Sequence, residues 1–211
     1  GSYSATVVAK DYVLTAAHVV AGVAAADLRF ALNADGDLSF GSIAAAVIVH
    51  PGFVSPQQPN ANDLALVRLA QPIPDGVEPY MLSSRHPSLG AEIVLVGYGA
   101  SGDGAVGPNV SSSSTRKRVG RNVIDRFGQT SAGRSALLFY DFDGPRGSAN
   151  PLGGPTLGND VETIVASGDS GGPCFVFEHG QWKLTAVSTF VITTTSGRAS
   201  TAATGCPFAI G

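Results

Sequence analysis

An all-β fold in two successive series of strands, residues 1–80 and 81–211, is predicted by three properties of this sequence. Short apolar or alternating runs recur along the whole chain, separated by glycine, proline, aspartate or serine, the mark of strands joined by turns. The 211 residues include 27 glycines and one methionine, with 44% hydrophobic and 14% charged residues. That is the composition of an ordered, turn-rich protein rather than a disordered one. A connector carrying Pro72, Pro74, Asp75-Gly76 and Pro79 splits the strands into two series.

In the first series, Thr6 to Ala9 and Tyr12 to Leu14 bracket a Lys10-Asp11 turn. Leu28 to Leu32 and Leu38 to Phe40 bracket Ala34-Asp35-Gly36, and runs from Ala44 to Val49 and from Leu64 to Leu69 follow. The second series runs from Glu92 to Gly99, Val119 to Ile124, Ala136 to Phe142, Pro173 to Phe177 and Trp182 to Ile192. Segments 99–114 and 144–160 are rich in glycine and serine without an apolar period, and read as surface loops.

Charge narrows the function classes. A net charge of −3 and a pI near 5.7 leave no basic footprint for nucleic acid; Arg116-Lys117-Arg118 with Arg121 reads as a solvated strand face. The longest apolar run, Ile43 to Val49, stops at His50-Pro51, far short of a membrane span. Asn33, Asp35 and Asp37, and likewise Asp141 and Asp143, have a spacing open to calcium, but a hairpin turn and a strand end explain them more simply. His50, His86 and His179 show no metal-ligand spacing. No cofactor and no metal are expected, nor any nucleic-acid or membrane partner, and the chain is expected to be a monomer.

Three segments carry chemistry. Gly168-Asp169-Ser170-Gly171-Gly172-Pro173 places a serine among small residues, where its hydroxyl is approachable and backbone N–H groups can converge. Leu14-Thr15-Ala16-Ala17-His18 ends an apolar run on a histidine, and Asn62-Asp63-Leu64-Ala65-Leu66-Val67-Arg68-Leu69 opens an alternating strand on an acid. A serine hydroxyl is a weak nucleophile at neutral pH and needs a neutral imidazole to take its proton. The imidazolium that forms needs a carboxylate on its far nitrogen. Each segment alone also has a plain structural reading: a glycine-rich turn, a core histidine, a strand-start cap.

Taken together, TAAH, NDLAL and GDSGGP occur in the order histidine, aspartate, serine, and on these motifs the chain closely resembles the trypsin/chymotrypsin superfamily of serine proteases over most of its length. The resemblance implies two antiparallel six-stranded β-barrels and a protein or peptide substrate. It also implies a triad of His18, Asp63 and Ser170 across the seam between the barrels, and an oxyanion hole of the Gly168 and Ser170 N–H groups. Asp169 takes a structural role. The specificity pocket falls on Ile164 and Val165 at its floor, with Thr189, Phe190 and Val191 along the strand that pairs with substrate. A valine in place of the family's glycine at 191 narrows the pocket. The floor lacks the buried acid of an enzyme cutting after lysine or arginine, Glu162 being the nearest carboxylate, so a small or medium aliphatic residue before the scissile bond is expected.

Departures from the pattern carry expectations too. Tyr3 and Val19 stand where the family places a disulfide around the histidine loop; only Cys174 and Cys206 remain, and one bridge between them in a secreted or extracytoplasmic protein is expected, with buried thiols as the alternative. The chain opens on Gly1-Ser2 rather than Ile-Val-Gly-Gly, and so offers Asp169 no terminal ammonium. It is expected to be truncated at both ends, with poor activity unless an internal group holds Asp169. Two rival functions remain: a catalytically silent homologue acting as a binding module, and an esterase-like hydrolase. The intact triad opposes the first, and the missing Gly-x-Ser-x-Gly elbow opposes the second.

Overall fold

The structure, a computed structural model, describes residues 1–34, 37–54, 62–129, 135–143, 150–194 and 201–207. Strands β1 (Thr6–Ala9) and β2 (Tyr12–Thr15) form the hairpin around Lys10-Asp11, and β2 leads directly into the single-turn helix α1 (Ala17–Val20). Strands β3 (Arg29–Ala34), β4 (Asp37–Val49) and β5 (Ala65–Leu69) complete an antiparallel sheet in the order β1-β2-β5-β4-β3. This sheet curls into a half barrel.

Strand β4 corrects the sequence reading, which breaks it between Phe40 and Ala44. Its thirteen residues run through Gly41-Ser42 and pair first with β3, from Ala34↔Asp37 to Arg29↔Ile43, and then with β5, from Ala44↔Leu69 to Val49↔Ala65. The register shifts between Ala44 and Ala46. Such an irregularity bends a strand, so one strand turns the corner of the half barrel. The Ser42 hydroxyl sits at that corner, donating to the Ile43 carbonyl and accepting the Gln71 N–H. A residue that looks like a breaker is hydrogen-bonded into the strand.

Strand β6 (Glu92–Gly97) has alternate residues buried, as a half-covered strand should. A small hairpin of β7 (Ser101–Asp103) and β8 (Gly107–Val110) lies inside the segment read as a loop. Then come β9 (Arg118–Val123), β10 (Arg126–Gln129), β11 (Ser135–Tyr140), β12 (Pro173–Glu178), β13 (Gln181–Val187), β14 (Phe190–Thr194) and β15 (Thr201–Pro207). They form two four-stranded sheets, β13-β12-β6-β9 and β10-β11-β15-β14. The predicted Trp182–Ile192 run is two strands, interrupted at Ser188-Thr189. The chain is all-β, as predicted.

Two apolar clusters fill the halves. Val7, Val13, Val20, Val67 and Leu69 sit inside the curled sheet, and Ile93, Leu95, Ile124, Leu138 and Tyr140 sit between the two later sheets. A third cluster, Leu14, Ala16, Phe175, Leu184 and Val187, joins β2 to β12 and β13. Burying a side chain of this size contributes about 1.5–3 kcal/mol. The third cluster therefore fixes the end of β2, and with it α1, against the second half. Among the described residues no helix is long and apolar enough to cross a membrane.

Candidate active site

His18 lies in α1, one residue past the buried Ala16 and Ala17. Asp63 precedes β5, which pairs with β2, so the two segments meet by sheet register. The Asp63 carboxylate is buried at 5% exposure and reaches His18 twice. One oxygen accepts the His18 backbone N–H at 2.8 Å, and the other is 2.7 Å from His18 Nδ1. The second oxygen also accepts the Thr189 hydroxyl. An ionised carboxylate on Nδ1 fixes the ring orientation and leaves Nε2 as the outward nitrogen. Thr189, which the resemblance assigns to the pocket, thus also supports the acid beside His18.

The serine turn packs against this pair from the second half. Ala166 to Asp169 close a β-turn through Asp169 N–H to Ala166 C=O at 3.0 Å, with Gly168 at φ +97°. Positive φ at the third position is the type II geometry that favours glycine. Gly171, at φ +82°, leaves no room for a side chain: a methyl group there would overlap Thr15 Oγ1 and the Ser4 carbonyl oxygen and come within 3.1 Å of the Ala16 nitrogen. The residue after Ser170 thus abuts the residue two before His18. Ser170 Oγ and His18 Nε2 make no hydrogen bond to each other or to other described residues. Such contacts are often long before substrate binds.

Backbone donors around Ser170 alternate between used and unused. The N–H groups of Asp169, Gly171 and Gly172 donate to Ala166, Ser188 and Asp169 carbonyls at 2.8–3.0 Å. Those of Gly168 and Ser170 donate to no described residue. Two unengaged donors flanking one serine can receive an oxyanion.

Asp169 finds partners inside the chain. Its two carboxylate oxygens accept the Gly99 N–H at 2.8 Å and the Ala166 N–H at 2.9 Å. Burial pushes its carboxyl up from the ordinary value, while those two N–H groups and the charge of Arg118 oppose the rise. Ser4, 3% exposed and unremarked in the sequence, ties the turn from behind. Its N–H donates to the Ser170 carbonyl at 3.0 Å, and its hydroxyl donates to the Gly168 carbonyl and accepts the Tyr98 N–H.

Beside Ser170 lies a cavity of about 290 Å³ lined by Val165, Ala166, Thr189, Phe190 and Val191, together with Ser167 and Ser188. Among the described residues no ionisable side chain lines it. Ile164 packs on the core cluster of the second half, which Val165 also touches. Glu162, 4% exposed, spends its carboxylate elsewhere, accepting from Thr156 Oγ1 and from the N–H groups of Leu157 and Asp143. Among the described residues no group of histidine, cysteine, aspartate and glutamate is arranged to hold a metal. The Cys206 side chain and the Asn33–Asp37 side chains lie outside the described residues, so the Cys174–Cys206 bridge and that turn are not placed.

Comparison with protein families matches residues 3–138 to the family described as Trypsin. No curated protein matches the chain.

Proposed function

Because the chain belongs to the trypsin family, whose members hydrolyse protein or peptide substrates, we propose that it is a serine endopeptidase acting through His18, Asp63 and Ser170. The observation that carries this reading is the buried Asp63 carboxylate on both the backbone N–H and Nδ1 of His18, next to a serine whose own N–H, like that of Gly168, donates to no described residue.

In this mechanism Ser170 Oγ attacks the scissile carbonyl carbon while its proton passes to His18 Nε2. The imidazolium is stabilised by Asp63, whose negative charge is held in place by Thr189. The carbonyl oxygen, now negative, is received by the Gly168 and Ser170 N–H groups. His18 returns the proton to the departing amine, leaving an acyl ester on Ser170. Water then attacks that ester, giving its proton to His18, and the tetrahedral intermediate expels Ser170 Oγ, which recovers the proton. Each donor of the oxyanion pair is worth about 10²–10³ in turnover.

The residue before the scissile bond enters the cavity beside Ser170. Its walls are small, apolar or hydroxylic, so a small aliphatic side chain is favoured. An arginine there would be buried without a counter-ion. The protein is proposed to work outside the cytoplasm, with Cys174 and Cys206 bridged. Labelling with a fluorophosphonate, with Ser170→Ala as control, tests the reading: label on the parent and none on the variant is expected. An unlabelled parent would leave the family fold without the activity.

A further inference from the structure

Three consecutive N–H groups after β6 address the serine turn and its support. Tyr98 donates to Ser4 Oγ at 3.1 Å, Gly99 to Asp169 Oδ1 at 2.8 Å and Ala100 to the Ser167 carbonyl at 2.8 Å. The last bond fixes the Ser167–Gly168 peptide. In a trans peptide the carbonyl and the N–H point in opposite directions, so a Ser167 oxygen facing Ala100 turns the Gly168 N–H away from Ala100. A type II turn converts to type I by flipping this same peptide, which reverses that N–H. Segment 98–100 therefore decides whether the Gly168 donor is available.

A further side chain holds that segment from the neighbouring strand. Arg118 stands opposite Gly97 on the neighbouring strand, and its Nη1 donates to the Gly99 carbonyl at 2.5 Å. The same guanidinium acts electrostatically on Asp169. The glycines are required by this arrangement: a methyl group at Gly97 or Gly99 would run into the Asp169 carboxylate. One cation thus touches the backbone that binds Asp169 on one side and offsets its buried charge on the other.

We propose that Arg118 is a positioning residue for the oxyanion donors, acting through Gly99 and the Asp169 carboxylate to keep the Gly168 N–H available. This rests on the proposed peptidase reading, which it deepens by naming what sets the turn. Among the described residues the clasp is built from Arg118, Gly99, Ala100 and Ala166, with Ser4 behind the turn.

The test compares the parent with Arg118→Gln, Arg118→Lys and Arg118→Ala on a peptide ester, and follows amide hydrogen exchange at Gly99 and Ala100. Arg118→Gln is expected to lower kcat by about 10–100-fold, part of the cost of one oxyanion donor, with KM changed less than about 3-fold. Exchange at both amides should rise at least about 10-fold as the clasp opens locally. Arg118→Lys should recover part of kcat, and added guanidinium should restore part of the activity of Arg118→Ala. A merely structural role would not show such rescue. Unchanged kcat with unchanged exchange in Arg118→Gln overturns the proposal while leaving the peptidase reading intact. If the parent itself takes no fluorophosphonate, the peptidase reading fails. The exchange comparison then decides alone: faster exchange supports the hold of Arg118 on the turn, and equal exchange refutes it.

Discussion

Replacing Asp125 with asparagine should stabilise this protein above neutral pH and do little below about pH 4. Asp125 lies between β9 and β10 and is half-buried. Burial raises its pKa from 3.8 to about 7, the Asp141 N–H opposes the rise, and the charges of Asp141, Asp143 and Glu162 add to it. The folded state therefore binds a proton between pH 3.8 and about 7 that the unfolded chain does not hold. Stability falls as pH rises through that window and levels off above it. Burial also raises the carboxyls of Asp141 and Asp143, adding to the same trend. The full shift corresponds to about 4 kcal/mol, and solvent screening of a half-buried group reduces this to about 1–2 kcal/mol. Asparagine keeps an acceptor for the Asp141 N–H. It also puts an amide where Asp125 Oδ1 is buried without a partner among the described residues. Urea unfolding from pH 4 to 8 measures the effect. A parent at least as stable at pH 8 as at pH 5, together with no gain from Asp125→Asn at pH 8, would refute the reasoning.

Three further outcomes are expected. Peptides with alanine or valine before the cleaved bond should exceed the arginine analogue in kcat/KM by about 10² or more, since an unpaired buried guanidinium costs several kcal/mol; faster cleavage after arginine would show an acid reaching the cavity. Thr189→Val, nearly isosteric, should lower kcat about 10-fold with little change in KM and cost about 1.5–3 kcal/mol of stability, because it removes a hydrogen bond to a charged group; unaltered kcat and urea midpoint would remove Thr189 from the Asp63 site. Gly171→Ala should cost more than about 2 kcal/mol, from positive φ and the clash with Thr15 and Ser4, and abolish fluorophosphonate labelling; a stable, labelled variant would mean the turn sits farther from β2.

How much of this was legible in the sequence depended on the range of the interaction. Strands β1, β2, β6 and β12 announce themselves through local patterns, and their observed bounds lie within two residues of the reading. The meeting of His18 with Asp63 follows from sheet pairing between motifs that were visible. Strand β10, Arg126–Gln129, has one apolar residue among four and no period to detect. The continuity of β4 depends on a hydroxyl bonded across the bend at Ser42. Ser4 and Arg118 were hidden for a deeper reason. Each works on backbone atoms brought near by folding, Ser4 on Gly168 across 164 residues and Arg118 on Gly99 across two neighbouring strands. A carbonyl as partner leaves no trace in residue type. Asp169 looked unpaired on the page because its partners are the amides of Gly99 and Ala166.

The third apolar cluster has an architectural consequence. Leu14 and Ala16 dock directly on Phe175, Leu184 and Val187, and Ser4 bonds Ser170 across the same junction. The histidine and the serine are thus registered by contact rather than by the peptide that joins the halves. The connector tip, Pro74-Asp75-Gly76, is exposed and is anchored at its edges by Ile73 to Lys10 and Tyr80 to Val7. At the tip itself the contacts are an exposed Lys10–Asp75 ion pair and a turn bond from the Val77 N–H to the Pro74 carbonyl, and an exposed pair contributes little. Doubling the length of a flexible tether costs only about 0.6 kcal/mol, so insertions between Asp75 and Gly76 are a tolerant place to lengthen the chain, or to graft a foreign module, without moving the reacting groups.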